Sequence, residues 1–335
     1  MSEDKTIKWG ILSTARIGAS AFIPSARLTA GAEVFAVASR NKEKAEAFAQ
    51  EHGIPVALES YQNLLDDKNI DAIYISLPNA LHAEWTIRAA EAGKHIFCEK
   101  PLAVTAAEGQ RMVDACRKAG VLLFEAFVFL HHPQSRRIQQ LLKDGEIGSL
   151  RHINAGMSFV VQDRSNIRMI KDLGGGSIYD GGVYPITFSR FIAGTDPIGV
   201  QAVMRFDEEA GVDMSTSLLL EYPGGVTANL YCGFDGSGGA HALITGEKGK
   251  LVVPSPYHPS PESSFDMITR SSNQPSTRTE TIETGTPPFQ PAIEFFQQCI
   301  LGEQTPAYMA ENAIGTLKVV EAAFESAKTG RRVDL

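Results

Sequence analysis

The chain has 335 residues, room for about two domains, with 43% hydrophobic and 21% charged residues and a formal net charge of −8. That balance excludes a disordered or fibrous chain, and an acidic surplus with no Lys/Arg block argues against nucleic acid as a partner. No apolar run reaches the roughly 18 residues of a membrane span.

The N-terminus, Met1-Ser2-Glu3-Asp4-Lys5, has neither a basic n-region nor an apolar stretch, so a cytoplasmic protein is expected. Cys98, Cys116, Cys232 and Cys299 show no CxxC spacing and read as buried thiols, not as disulfides or a metal site.

Strand and helix signals alternate over residues 7–125. Ile7–Leu12 is expected as a strand, with a turn at Ser13-Thr14-Ala15 and a helix from Arg16. A second strand covers Glu33–Ala38, and a helix runs from Asn41, a capping residue, to His52. Asp71–Leu77 is a buried strand ended by Pro78-Asn79. Helix His82–Ala92, strand His95–Cys98, helix Thr105–Ala119 and strand Val121–Glu125 complete the repetition. It predicts a parallel, doubly wound sheet, hence an α/β Rossmann domain over residues 1–128.

Cofactor chemistry is legible at the strand ends. A G-x-G-x-x-G phosphate loop would fall at positions 13, 15 and 18, which hold Ser13, Ala15 and Gly18. Ala15 is small enough for a pyrophosphate to approach, the helix N-terminus offers its amides, and Gly18 is expected to allow close helix–strand packing. Ser13, Thr14, Ala15, Arg16 and Ile17 are therefore candidate cofactor contacts. The second strand runs into Ser39-Arg40-Asn41-Lys42, with no acid before Glu43. An NAD enzyme places Asp or Glu there for the ribose 2′-hydroxyl, whereas an Arg pairs with a 2′-phosphate. Ser39 and Arg40 thus point to NADP. Glu99-Lys100-Pro101 follows a later buried strand, where open α/β sheets bind ligands. Glu99 and Lys100 join the candidate cofactor contacts.

Beyond Leu130-His131-His132-Pro133 the pattern changes. Helix Gln134–Asp144 leads through Gly145-Glu146-Ile147-Gly148 to strand Ser149–Phe159. Further strands are expected at Gly199–Asp207, Met214–Tyr222, Val226–Tyr231, His241–Gly246 and Lys250–Val253. Residues 254–288, rich in Pro, Ser and Thr, read as an extended surface stretch, and helices Phe289–Leu301 and Tyr308–Lys328 follow, packing back towards the first domain. Residues 129–335 are expected to form an α+β domain on a large, mainly antiparallel open sheet, whose uncovered face would join copies into a homodimer or homotetramer. His131-His132 is not read as a metal pair, since neighbours on an extended chain face opposite ways.

Gly174-Gly175-Gly176 leads into Asp180-Gly181-Gly182-Val183-Tyr184. With Glu99-Lys100-Pro101, these residues resemble the glucose–fructose oxidoreductase/inositol dehydrogenase (Gfo/Idh/MocA) family, over nearly the whole chain and most strongly over residues 7–130. Tyr184, where many relatives have His, and Trp9-Gly10-Ile11-Leu12-Ser13 look like the branch of dimeric dihydrodiol dehydrogenase, glucose–fructose oxidoreductase and NADP-dependent D-xylose dehydrogenase. The resemblance implies that Leu77-Pro78-Asn79 passes the nicotinamide ribose, with His82 close to the cofactor. It implies a cis Lys100–Pro101 bond and a helical segment that projects Asp180 and Tyr184 from one face. It also implies an NADP-dependent oxidoreductase moving hydride between nicotinamide C4 and a carbinol carbon of a sugar or cyclic polyol. Such chemistry needs a base for the hydroxyl proton. A phenol, with a pKa near 10, becomes one when a cationic Lys lowers that pKa. Tyr184 would be the acid/base, Lys100 its electrostatic partner, and Asp180 an orienting or proton-sharing group. Arg164 and Arg168 are candidate substrate contacts, with solvated arginines as the alternative. Two other readings stay open: a non-catalytic NADP(H) sensor, and an aldose–aldose oxidoreductase that never releases its cofactor.

Overall fold

The computed structural model describes residues 6–271, 274–306 and 310–335, so Met1–Lys5 and the expected helix start at Tyr308 lie outside the described residues. The chain divides into two compact units. The first comprises Met1–Ala103, Ala107–Val128 and Thr286–Ala313, and the second Val104–Ala106, Phe129–Gly285 and Ile314–Leu335.

The first unit is built on six parallel strands: β1 (Ile7–Leu12), β2 (Ala32–Ala38), β3 (Val56–Leu58), β4 (Ala72–Ile75), β5 (His95–Cys98) and β6 (Leu123–Glu125). Their order is β3-β2-β1-β4-β5-β6, the doubly wound arrangement. Each residue of β4 is buried, as a strand covered on both faces requires. Asn41 caps helix Lys42–Glu51 by accepting from the Lys44 amide at 2.7 Å. β3 and the helix Tyr61–Asp66 are not foreseen from the sequence, because three and six residues are too few for a periodicity to register. The core centres on Trp9, which meets Phe22 at 5.1 Å and Phe296 at 5.5 Å between ring centroids. Phe296 lies on helix Gln290–Ile300, so this late helix completes the first unit's core.

The second unit carries nine strands: β7 (Leu150–Ser158), β8 (Gly199–Phe206), β9 (Asp213–Glu221), β10 (Thr227–Gly233), β11 (Gly239–Gly246), β12 (Gly249–Val253), β13 (Glu262–Ser271), β14 (Gln274–Glu283) and β15 (Val333–Asp334). They run β14-β13-β12-β11-β7-β10-β9-β8-β15, antiparallel except for β7 beside β10. The expected surface stretch at 254–288 is corrected here: most of it is the β13–β14 hairpin. Thr277, Thr279 and Thr281 suit a strand and lie exposed on β14, while Ser263, Phe265 and Met267 on β13, two apart, turn inward at 8%, 1% and 5% exposure. Among the described residues, no helix is long and apolar enough to cross a membrane.

Candidate active site

In the first unit the strand order reverses between β1 and β4, and a crevice at the C-terminal ends of such strands is where doubly wound sheets take ligands. Ser13 leaves β1 with φ 114°, a conformation that favours glycine. Its hydroxyl donates to the Ser76 carbonyl at 3.0 Å, lies 3.0 Å from Ser76 Oγ, and accepts the Ala15 amide at 3.2 Å. A serine therefore holds the turn that the fingerprint assigns to its first glycine, by bonding to the loop after β4. The helix that follows opens at Arg16 and passes through a π-turn, Gly18–Phe22, with Arg16 and Ile17 exposed. The packing reason expected for Gly18 is corrected: a Cβ there would sit 3.8 Å from Tyr74, an ordinary contact.

At the end of β2, Ser39 is buried and accepts the Asn41 amide at 3.2 Å, while Arg40 is exposed. Burial raises the pKa of Tyr61, and the Arg40 guanidinium hydrogen-bonded to its hydroxyl pulls it back. Tyr61 was not singled out from the sequence, where nothing links it to Arg40. After β4, Leu77 is buried and Asn79–Leu81 form a 3₁₀ turn. His82 is fully buried, with Nδ1 2.8 Å from the Pro101 carbonyl and Nε2 2.9 Å from the Leu77 carbonyl. Burial pushes its pKa down, against the pull of those carbonyls, and the nearby Lys100 charge lowers it further. His82 thus braces the loop after β4 against the loop after β5. Past β5, Glu99 accepts the Tyr74 hydroxyl at 2.6 Å, and the Lys100–Pro101 bond is cis. The Leu102 amide donates to Glu125 at 2.7 Å, so the backbone just after the half-buried Lys100 is fixed at two points.

In the second unit, Gly174–Gly176 has steric reasons for its composition. A Cβ on Gly175 would lie 2.6 Å from the Arg168 carbonyl, and one on Gly176, at φ 123°, would lie 2.3 Å from Asp213 Oδ1. Ile178–Gly182 is a π-turn that runs into helix Val183–Ala193. A π-turn's i→i+5 repeat is wider than an α-turn's, so residues four apart, such as Asp180 and Tyr184, fall near one face. Arg168 Nε donates to Asp180 Oδ2 at 2.6 Å, and its guanidinium lies 5.6 Å from the Phe159 ring. Arg164 is drawn instead to Asp207 and Glu209, at 2.8 to 3.0 Å on the exposed surface. Of the two candidate arginines, the structure joins Arg168 to Asp180.

Tyr184 is 8% exposed, and its hydroxyl lies 3.1 Å from His258 Nε2. Tyr257 stacks on the phenol at 5.4 Å and 30°. Neither His258 nor Tyr257 stands out in the sequence, since both fall in the stretch read as surface. Asp213, also missed, is 1% exposed and accepts from Ser177 Oγ, from the Ile178 amide at 2.9 Å and from Thr216 Oγ1 at 2.9 Å. Burial pushes its carboxyl pKa up. It anchors the start of the helical segment that carries Asp180 and Tyr184. His131 and His132 are buried, and desolvation lowers both to a pKa of about 4. His132 Nδ1 accepts the Gln134 amide at 3.1 Å as a helix cap.

The sequence profile of an oxidoreductase family with an NAD-binding Rossmann fold, Gfo/Idh/MocA, matches residues 7–127, and that family's C-terminal domain matches residues 135–252. The chain is 35% identical to D-xylose 1-dehydrogenase (NADP(+)) 2 of Haloferax volcanii, over 98% of this chain and 99% of the relative. A crystal structure of a 3-ketoreductase from Actinomadura kijaniata, in complex with NADP and TDP-benzene, superposes with a TM-score of 0.89 at 30% identity, covering 96% of this chain and 98% of that one. The aldose–aldose oxidoreductase from Caulobacter crescentus, complexed with glycerol, matches at a TM-score of 0.89 and 27% identity, over 99% of this chain and 100% of that one. Family profiles over both parts of the chain and sequence similarity over its full length make the chain a member of the Gfo/Idh/MocA oxidoreductase family.

Proposed function

We propose that the protein is an NADP-dependent oxidoreductase that moves a hydride between nicotinamide C4 and a carbinol or carbonyl carbon of a sugar. The residues present fit that cofactor. Arg40, exposed after β2, offers a guanidinium to a 2′-phosphate, with no acid before Glu43 to favour a bare ribose. The turn at Ser13 and the helix N-terminus after it suit a pyrophosphate. Ser39, Leu77, Pro78, Asn79 and Glu99 complete the cofactor side of this reading.

When bound, the cofactor supplies the hydride acceptor at C4. The chain's own residues handle the proton. In this reading Tyr184 Oη takes the substrate hydroxyl proton. The Lys100 ammonium lowers the phenol pKa and polarises the substrate oxygen. Asp180, ion-paired with Arg168, orients that arginine towards the polar substrate. The observation that carries the reading is that a buried, hydrogen-bonded Tyr184 and a Lys100 on a fixed loop after β5 are both present. We further propose that copies associate through the open face of the nine-stranded sheet.

The test is NADP⁺ reduction with a panel of aldoses that includes D-xylose and D-glucose, followed by NADPH absorbance. Tyr184→Phe keeps the ring and should retain NADP binding while kcat falls by roughly 10²–10⁴. Turnover of Tyr184→Phe near that of the unmodified protein would give the proton to another group and overturn the assignment.

A further inference from the structure

His258 lies on the loop between β12 and β13, and it is exposed where Tyr184 is buried. Its Nε2 is 3.1 Å from Tyr184 Oη, and its ring meets the phenol at 4.9 Å between centroids and 61°. Ser255 Oγ donates to the His258 carbonyl at 2.8 Å, closing the short loop that presents the imidazole. A hydrogen-bonded pair with one member buried and the other exposed is a path along which a proton can move between phenol and water. Imidazole is the side chain best suited to pass it, since its two nitrogens can gain and lose protons separately near neutral pH.

We propose that His258 is the proton relay of Tyr184, an inference that rests on the oxidoreductase reading above. With its proton on Nδ1, His258 presents the Nε2 lone pair to the phenol. In the oxidation direction the substrate O–H and carbinol C–H bonds break and the C=O bond forms. The C–H hydrogen leaves with its electron pair to the oxidised nicotinamide. The hydroxyl proton passes to Tyr184 Oη as the phenol's own proton passes to His258 Nε2, and the Nδ1 proton goes to water. One hydride and one proton leave the substrate, and reduction runs the same route backwards. His258 acts through Tyr184 and is a positioning and relay residue, not one that meets the substrate.

Substitutions separate a relay from a mere hydrogen-bond partner. Gln offers a bond to the phenol but cannot pass a proton on, whereas His258→Ala with added imidazole restores a proton carrier. In the full-length protein, with NADP⁺ and the aldose it turns over fastest in the panel, His258→Gln and His258→Ala should both lose about 10²-fold in kcat, the low end for a positioned proton-transfer group. KM should change little, and imidazole should raise the rate of His258→Ala but not of His258→Gln. Without turnover, the ¹⁵N resonance of His258 Nε2 in the ligand-free protein should be of the acceptor type and should shift in Tyr184→Phe. Normal kcat in His258→Gln overturns the relay, as does failure of imidazole to raise the rate of His258→Ala, or a ring resonance indifferent to Tyr184. Absence of NADP⁺ reduction by the unmodified protein with any sugar overturns the oxidoreductase reading itself, and the relay with it.

Discussion

Arg40 concentrates the cofactor question in one side chain. Its guanidinium is exposed beside the Tyr61 hydroxyl at the end of β2, where the ribose of a dinucleotide is read. One charge-assisted pair contributes on the order of 1.5–3 kcal/mol, so NADP should bind at least about tenfold more tightly than NAD. Arg40→Asp should erase or reverse that preference, as read from cofactor dissociation constants; equal affinity of the unmodified protein for both cofactors would defeat the argument. Arg40 was legible in the sequence because its position in the alternating pattern fixes its place after a strand. Ser13 was legible as a departure from the fingerprint, but not its remedy, since Ser76 is 63 residues away. Arg164 and Arg168 were indistinguishable for a related reason. Both precede the Gly run, and only the fold decides that Arg168 meets Asp180 while Arg164 meets Asp207.

The helical segment from Ile178 to Ala193 depends on a residue from another element. Asp213, the first residue of β9, takes the Ile178 amide, Ser177 Oγ and Thr216 Oγ1 on one buried carboxylate oxygen. Asp213→Ala leaves those donors unpaired out of water. Stability should fall by about 2–4 kcal/mol in urea denaturation. Activity at permissive temperature should fall too, because the turn that sets Asp180 and Tyr184 loses its anchor. Asp213→Asn keeps an acceptor and should be milder. An unchanged unfolding midpoint in Asp213→Ala would show that the helix start is held by its own backbone. The elements themselves were legible wherever a period ran over several residues, as in β1, where the expected and observed bounds coincide at Ile7–Leu12. They were not legible where polar composition masked a strand. In the β13–β14 hairpin the alternation rests on a few apolar residues such as Phe265 and Met267 among Ser and Thr. That misreading also hid His258, whose loop gains its meaning from the strands flanking it.

For the whole molecule, the proposed association of copies would draw on the nine-stranded sheet. Its edges are poor templates: β14 carries Pro275 and is exposed along most of its length, and the short β15 covers β8 at the other end. The open face is better suited. Register aligns Val203, Ser217, Tyr231, Gly156 and His241 in one row across β8, β9, β10, β7 and β11, with Gln201, Leu219 and Asn229 in the next. Val203 is 73% exposed and Leu219 and Tyr231 38% each, around a hollow of about 470 Å³. Such a mix of aliphatic, aromatic and amide groups matches the average composition of protein interfaces, and a second copy contributing about 800 Å² per partner would cover it. The protein should therefore run in solution at no less than twice its 36.2 kDa chain mass. Val203→Asp combined with Leu219→Asp sets unpaired charges against each other across a two-fold axis, and should return it to a single chain at micromolar concentration. A monomeric mass for the unmodified protein, or an assembly indifferent to both substitutions, would move the interface elsewhere.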